Sequence, residues 1–420
     1  MGAMTQLSAR SGYQQVSVAK VSSLAGVSRA TFYEQFKDKE DCLIAAYWEA
    51  ARRVVGPLAT TGGDDWEQVA RSGLGQLFGS LQDEPESGRL LLVESRAAGV
   101  AMRAEKERAL DVFEQRIEAG LAAASSGETL DIPAMVLVGG VRSIIVWRLR
   151  SHAQDELPLM LDDLIDWMRS YCAPAAAGRP NAVPISAPAL PAQASPLAPS
   201  RLPRGRHRLP AGVVARSRLR RIVYGTAEVM MEKGYADATV TDIVAAAGIS
   251  REVFYEHFSD KRQAFLEAQR YSTQEVLDLC ATAFFSAAQW PERIWRALDT
   301  LIGLIISSPA LAHLRLVECY AAGPEALSRA EDLTRSFGIF LEEGYSVAPA
   351  AGAPARVCSQ AITGAIFEVI YRLIARGEVQ ALATQLPRLA YVALAPFTGR
   401  QEAIALVREL GERQVSDEAA

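Results

Sequence analysis

Two stretches of this sequence place an arginine, a tyrosine and a lysine at the same spacing. Residues 27–40 read VSRATFYEQFKDKE, and residues 249–262 read ISREVFYEHFSDKR. An arginine can donate paired hydrogen bonds to guanine, while tyrosine and lysine commonly bind phosphate oxygens. The chemistry offered by these side chains is therefore recognition of a nucleic acid.

The two stretches belong to a duplication that covers nearly the whole chain. The residues that recur unchanged 222 positions later are Gly12, Tyr13, Val18, Ala25, Gly26, Ser28, Arg29, Phe32, Tyr33, Glu34, Phe36, Asp38 and Lys39. After two positions of drift, Leu92-Val93-Glu94 matches Leu316-Val317-Glu318, and Arg148-Leu149 matches Arg372-Leu373. Two long repeats are too few for a solenoid, so we expect two tandem units.

Local sequence signals predict two short helices joined by a tight turn in each copy. In order, these signals are an N-cap residue (Ser17 or Thr239), a glycine suited to a left-handed turn (Gly26 or Gly248) and a second N-cap residue (Ser28 or Ser250). Such a pair is typical of a helix-turn-helix, whose second helix enters the major groove of DNA.

A third helix is predicted to begin at Asp38 in the first copy and at Asp260 in the second copy. Lys39 and Lys261 then fall in its first turn, where a cation opposes the helix dipole. We interpret this placement as a sign of an external anion, with phosphate as the simplest candidate.

The string G-[VI]-S-R-x-x-F-Y-E-x-F-x-D-K, preceded in the second copy by T-V-T-D-I-V-A-A-A, resembles the DNA-binding domain of TetR/AcrR-type transcriptional regulators. The resemblance implies an all-α fold of two tandem units. Each unit would have a three-helix DNA-binding domain, followed by a helical domain that binds a ligand and dimerises. It also implies double-stranded DNA and a small-molecule inducer as partners.

Carried across by position, the resemblance assigns two sets of DNA contacts. Phosphate contacts fall on Ser17, Thr31, Tyr33, Lys39, Thr239, Tyr255 and Lys261, and base contacts fall on Arg29, Ala30, Gln35, Thr241, Arg251, Glu252 and His257. Ser28 and Ser250 stand at the DNA-facing starts of the recognition helices. The alternative interpretation makes the tyrosines packing residues and the arginines solvated charges.

Aromatic residues are scattered through the remainder of each half. They are Phe78, Phe113, Trp147, Phe337, Phe340, Phe367 and Tyr371. In the resembled family such a domain encloses an apolar inducer pocket, although aromatic stripes are also typical of a helical core. By the same resemblance, helices near residues 132–151, 157–171, 356–376 and 382–395 would form a four-helix dimerisation seam.

The predicted domains follow from these motifs and from composition. They are a DNA-binding domain with a truncated first helix (1–46), a regulatory domain (47–172), a Pro/Ala-rich linker (173–210), a second DNA-binding domain (211–268) and a second regulatory domain (269–420). The linker composition cannot bury enough apolar surface to fold. Residues 201–221 hold eight arginines and no acid, which suits either a DNA-binding arm or a solvated linker end.

Other classes of protein find little support in the sequence. The five cysteines form no CxxC pair, the four histidines are scattered and no Walker loop is present, so we expect no metal, no cofactor and no enzyme activity. Arg142 and Glu368 interrupt the longest apolar runs, which argues against a membrane span and favours a cytoplasmic protein. The net charge of −5 masks the local basic segments.

These observations predict a sequence-specific DNA-binding transcriptional regulator, in the form of a repressor released by a small apolar ligand. Two non-identical heads from one chain would read a quasi-palindromic operator, as an intrachain pseudo-dimer with or without further homodimerisation. The alternative is a ligand-sensing or protein-interaction module in which one or both heads have lost DNA binding.

Overall fold

A computed structural model describes residues 1–56, 65–123, 128–174, 197–199, 210–348 and 354–419. Helices dominate these residues, and the one sheet found among them is an antiparallel ribbon of β1 (Glu128–Leu130) with β2 (Cys172–Pro174). The predicted all-α fold class is therefore confirmed. Most of the predicted linker, including the first four arginines of the basic segment 201–221, lies outside the described residues.

The first half of the chain contains nine α-helices within its described residues. They are α1 (Gly2–Ser11), α2 (Val18–Ala25), α3 (Arg29–Gln35), α4 (Lys39–Val54), α5 (Trp66–Asp83), α6 (Pro85–Leu92), α7 (Val100–Ala123), α8 (Ala134–Arg150) and α9 (Leu161–Arg169). Short 3-10 helices at Tyr13–Gln15, Glu94–Ala97 and Gln154–Met160 connect some of them.

The second half repeats this order and ends with an additional long helix. Its helices are α10 (Ala211–Asp237), α11 (Val240–Ala247), α12 (Arg251–His257), α13 (Lys261–Phe285), α14 (Trp290–Ser307), α15 (Pro309–Leu316), α16 (Pro324–Ser336), α17 (Gly344–Val347), α18 (Val357–Ala375), α19 (Leu386–Thr398) and α20 (Arg400–Ala419). Short 3-10 helices lie at Glu318–Tyr320, Phe337–Leu341 and Val379–Gln385. The sequence interpretation missed α20.

The predicted caps and turns of both helix-turn-helix units are present. Ser28 and Ser250 accept hydrogen bonds from backbone N–H groups three residues ahead, at the starts of α3 and α12. Gly26 and Gly248 adopt left-handed conformations, with φ of 69° and 59°, and so end α2 and α11. Thr239 completes a capping box at the start of α11. These local signals fix the boundaries of the recognition helices.

The helix before each helix-turn-helix differs greatly in length between the copies. α1 has 10 residues, whereas α10 has 27 residues and carries a non-helical glycine, Gly234, close to its end. α10 passes very near α11, because a Cβ atom on Gly225 would lie 2.7 Å from the backbone nitrogen of Ala247. The side chain of Arg221 also donates a hydrogen bond to the carbonyl of Gly248, in the turn. α10 therefore packs against α11 and the turn that precede the second recognition helix.

The chain forms two compact units whose boundaries do not coincide with the halves of the duplication. Unit 1 comprises Met1–Val183, Tyr345–Val369 and Ala395–Glu402. Unit 2 comprises Pro184–Gly344, Ile370–Leu394 and Ala403–Ala420. Unit 1 therefore contains residues from both halves of the sequence, and α18 contributes to both units.

α18 is long and apolar enough to cross a membrane by length and composition alone. However, 78% of its apolar window is buried inside the structure, as in a core helix of a globular protein. Among the described residues it is the single straight helix of this kind. Its composition is explained by packing against other helices.

We expect Gly225→Ala to lower the free energy of unfolding by about 1–3 kcal/mol, because the added methyl group would overlap the backbone of α11. Gly303→Ala, within α14, is the matched control: its Cβ would meet no atom within 4 Å, so better helix propensity should raise stability by up to about 1 kcal/mol. Denaturant unfolding of both variants measures the difference. Equal effects at the two positions would contradict the close approach of α10 to α11.

Candidate nucleic-acid interface

The two recognition helices, α3 and α12, expose the side chains that the sequence assigned to base reading. Arg29, Ala30 and Gln35 are exposed in the first copy, and Arg251, Glu252 and His257 are exposed in the second copy. Thr241, on the preceding helix of the second copy, is also exposed. The arginines occupy the first position of each recognition helix, as base-reading residues of a helix-turn-helix do.

A buried aromatic residue anchors each recognition helix beneath its exposed face. Phe254 is fully buried, and its ring meets that of Phe258 at 5.7 Å and that of Tyr255 edge-on at 5.4 Å. Phe32 makes the corresponding contacts in the first copy. Tyr33 and Tyr255 nevertheless remain 57% and 50% exposed, respectively. Each tyrosine is therefore held by one ring edge, and its hydroxyl is left accessible.

The remaining predicted phosphate contacts are polar residues near helix starts. Ser17 caps α2, and the hydroxyl of Thr31 lies 3.0 Å from that of the cap residue Ser28. Thr239 donates its hydroxyl hydrogen to Asp242 at 2.7 Å while it accepts the N–H of the same residue. These side chains are exposed, but the hydroxyl of Thr239 is already engaged in its cap.

Lys261 has a different environment from the one that the sequence argument assumed. Its ammonium group donates hydrogen bonds to the carbonyls of Tyr235, Ala236 and Ala238 at 2.8–3.0 Å, and it lies over the ring of Tyr235. These carbonyls compensate for the unfavourable helix dipole, so the position of the lysine no longer requires an external anion. The phosphate role of Lys261 remains a prediction.

Lys39 makes a weaker version of the same contact in the first copy. Its ammonium group lies 3.4 Å from the carbonyl of Tyr13 and 4.2 Å from the centre of the Tyr13 ring. Burial lowers the pKa of Lys39 from its ordinary value. Both lysines therefore brace the loop before the helix-turn-helix, and the phosphate role of Lys39 likewise remains a prediction.

Two glutamates that were not predicted as site residues bind the same loop from the part of each half that follows the helix-turn-helix. The carboxylate of Glu318 accepts the backbone N–H of Tyr235 at 2.7 Å, and that of Glu94 accepts the N–H of Tyr13 at 3.0 Å. In both copies the loop turns at a glycine with positive φ, Gly12 or Gly234. Burial raises the pKa of Glu94, although the hydrogen bond from Tyr13 acts in the opposite direction. The recurrence of Leu-Val-Glu in both halves was the available sequence signal.

The end of α10 is also tied to the start of α11. Lys233 contacts the carboxylate of Asp242 at 2.7 Å. This hydrogen bond and those from Thr239 lower the pKa of Asp242 to about 2, so the carboxylate stays ionised across the physiological range. Glu318, Lys261 and Lys233 therefore all contribute to holding the segment between α10 and α11.

The aromatic residues assigned to a ligand pocket lie mainly in helical cores. Phe78, Phe337, Phe340, Phe367 and Tyr371 are buried, whereas Phe113 and Trp147 are partly exposed. Phe340 contacts Phe337 at 5.6 Å and Phe284 at 4.9 Å between ring centres. Arg148 stacks on Trp147. This packing is consistent with a core, and the assignment of these residues to an inducer pocket remains a prediction.

Comparison with known proteins supports the helix-turn-helix interpretation. The model of the N-terminal domain of bacterial regulatory proteins of the TetR family matches residues 3–46 and 222–268. The matched segments contain α2, α3 and the start of α4, and α11, α12 and the start of α13. The chain therefore contains two TetR-like helix-turn-helix segments in tandem.

Related proteins are named as regulators and not as enzymes. The chain is 23% identical over 151 residues to the HTH-type transcriptional activator FasR of Mycolicibacterium smegmatis. This alignment covers 36% of the chain and 58% of the length of that relative.

Two solved structures are similar over less than half of this chain. The fatty acid degradation regulator FadR from Bacillus halodurans shares 18% identity, with a TM-score of 0.38, over 41% of this chain and 96% of its own. A TetR family transcription regulator from Marinobacter aquaeolei VT8 shares 18% identity, with a TM-score of 0.35, over 48% of this chain and 96% of its own.

We expect Lys261→Met to lower the free energy of unfolding by about 1–3 kcal/mol, because three carbonyls lose a charged hydrogen-bond donor. Lys39→Met is the matched comparison, and it should cost less because that ammonium group reaches one carbonyl. Thermal unfolding without DNA measures both effects. Unchanged stability combined with lost DNA affinity would instead assign Lys261 to phosphate binding.

Proposed function

We propose that this chain, which is built from two tandem TetR-like units, is a transcriptional regulator that reads one operator with two helix-turn-helix heads of a single polypeptide. The observation that carries the proposal is the recurrence of an exposed arginine and an exposed tyrosine on each capped recognition helix. An arginine at the start of such a helix can read guanine in the major groove, and the tyrosine four residues later can reach a phosphate.

The two heads are expected to read related but different half-sites. Arg29 and Arg251 are identical by position, whereas Ala30 is replaced by Glu252 and Gln35 by His257. A methyl group prefers thymine and glutamate accepts from cytosine, so the flanking bases should differ between the half-sites. The operator is therefore proposed to be a quasi-palindrome with one shared base step.

A single chain has the means to occupy both half-sites as a pseudo-dimer. Two-fold regulators of this type read half-sites about 34–36 Å apart. Unit 1 includes Tyr345–Val369 from the second half of the sequence, which supports pairing of the two halves. A linker of about 40 residues can extend over roughly 100 Å at about 3.1 Å per residue, so its length permits this arrangement.

The regulatory domains are proposed to control DNA binding through the loop before each helix-turn-helix. Glu94 and Glu318 belong to the part of each half that follows the DNA-binding domain, yet they hold the backbone of this loop. A small apolar ligand that moves these glutamates would change the orientation of the recognition helix. Coupling of about 1–3 kcal/mol between the two sites would be typical of allosteric proteins.

Repression by occlusion of the promoter, with release by the ligand, is the form of regulation that we propose. This form of repression requires only DNA binding and the proposed coupling between the ligand and the recognition helix. FasR, a relative of this chain, is named an activator, so a reporter assay with the operator placed upstream of or within a promoter must determine the direction. The protein would act in the cytoplasm, where bacterial chromosomal DNA is located.

We expect Arg251→Ala to weaken binding to the specific operator by about 1–3 kcal/mol and to relax preference at one base pair. Arg29→Ala should relax the corresponding base pair in the other half-site. Arg270→Ala, an exposed arginine of α13 paired with Glu267, is the control and should leave specificity unchanged. Binding selection from randomised DNA, followed by titration, measures all three variants. Equal loss on specific and random DNA would assign Arg251 to the backbone.

We also expect wild-type affinity for the operator to fall steeply with salt, because each cation-phosphate contact releases condensed counterions. Footprinting should show two half-sites that differ in sequence. A salt-independent interaction would favour the alternative of a module without DNA binding. A footprint confined to the half-site that α12 recognises would assign DNA reading to that helix alone.

A further inference from the structure

Unit 1 contains a buried cluster of charges contributed by both halves of the sequence. Arg96, Lys106 and Arg142 come from the first half, and Glu368 comes from the second half. Arg96 contacts the carboxylate of Glu368 at 3.2 Å, and Arg142 contacts the same oxygen. The side chain of Glu368 is 2% exposed. One glutamate is therefore surrounded by cations that lie far from it in the sequence.

Burial of these cations would be energetically unfavourable without the carboxylate of Glu368. Burial is the main cause that lowers the pKa of Lys106, and the neighbouring Arg96 and Arg142 act in the same direction. Glu368 opposes this effect, followed by Glu107, so it favours the charged lysine. Buried ions are tolerated in proteins when an opposite charge lies next to them. Glu368 is thus the carboxylate from the second half that supports three buried cations.

Next to the cluster, the backbones of α8 and α18 approach each other closely. A Cβ on Gly139 of α8 would lie 2.6 Å from the Cβ of Glu368 and 3.4 Å from the Cα of Ala365. A Cβ on Gly140 would lie 2.8 Å from the carbonyl oxygen of Ala361. The glycines of α8 therefore allow α18 to approach closely, and the charges meet within a tightly packed helix crossing.

The duplication shows that this charge arrangement is asymmetric. At the offset that matches Arg148-Leu149 with Arg372-Leu373, the counterparts of Arg96, Lys106 and Arg142 are Tyr320, Ala330 and Ile366. The counterpart of Glu368 is Ile144. The first half thus carries the cations without a counterpart of Glu368, with Glu107 acting on Lys106 only after Glu368, and the second half lacks counterparts of the three cations.

We infer that this helix crossing is a pairing surface that binds the first half of the chain to the second half and rejects a second copy of either half. Two first halves paired in the same way would bury both sets of cations against Ile144. Two second halves would bury two glutamates against Tyr320, Ala330 and Ile366. Each like pair leaves buried charge without a compensating partner across the crossing, whereas the unlike pair satisfies both.

A second contact within unit 1 adds to the same preference. Arg400, from the second half, contacts the carboxylate of Asp131, from the first half, at 2.6 Å. The side chain of Asp131 is fully buried. Here the acid belongs to the first half and the cation to the second half, which is the reverse of the cluster around Glu368. The inference deepens the proposed single-chain pseudo-dimer by naming the residues that choose the partner.

The test uses the full chain with a protease site inserted within residues 175–196 and cleaved after folding. Native mass spectrometry should find one first-half fragment bound to one second-half fragment. Glu368→Arg should raise the dissociation constant of the cleaved halves by about tenfold or more, because it adds a fourth buried cation. Adding Arg142→Glu to this variant should restore most of the affinity, since the pair is then reversed.

Two controls keep the result interpretable. Glu402→Arg, at an exposed position of α20, makes the same change in net charge and should leave pairing unchanged. Glu368→Gln, which preserves shape, covers the case in which Glu368→Arg fails to fold, and it should also weaken pairing. Pairs of like halves in the wild type, or pairing that is insensitive to all substitutions at Glu368, would overturn the inference. No DNA is present, so a failure of operator binding would be a separate result.

Discussion

The hydrogen bond between a regulatory glutamate and the loop before each helix-turn-helix is the contact on which the proposed mechanism depends. Glu94 and Glu318 accept the N–H group that follows a glycine of positive φ, where the backbone leaves the first helix. Lys39 and Lys261 donate to carbonyls of the same loop. In the proposed mechanism a loop held by both groups transmits a displacement, so the recognition helix would follow movement of the part of the chain that carries the glutamate.

The features that could be predicted from the sequence are those determined by neighbours along the chain. Ser250 fixes the start of α12, and Gly248 fixes the end of α11, through bonds to residues only three to five positions away. The spacing of Phe254 and Phe258 identifies the buried face of the same helix. For this reason the helix-turn-helix and its exposed arginines could be located without coordinates.

The features that could not be predicted depend on contacts between distant residues. From the sequence, the charge of Lys261 could be related only to the dipole of its own helix, whereas the structure supplies carbonyls from residues 23–26 positions earlier. Glu368 was interpreted only as an interruption of an apolar run, although it lies in a charge cluster with Arg96, 272 positions away. Residue types indicate that a buried charge needs a partner, but chain folding determines which residue provides it.

Covalent duplication removes a constraint that ordinary two-fold dimers must obey. In such a dimer the same patch faces itself, so a cation on one side of the axis also appears on the other side. When both halves belong to one chain, each position can change independently of its counterpart. Glu252 stands where the first copy has Ala30, and Glu368 stands where it has Ile144. Both pairs of positions differ in the way that such independent change permits. The proposed asymmetric pairing would therefore be linked to the proposed asymmetric DNA reading, since a chain that pairs unlike halves would also present two different heads together.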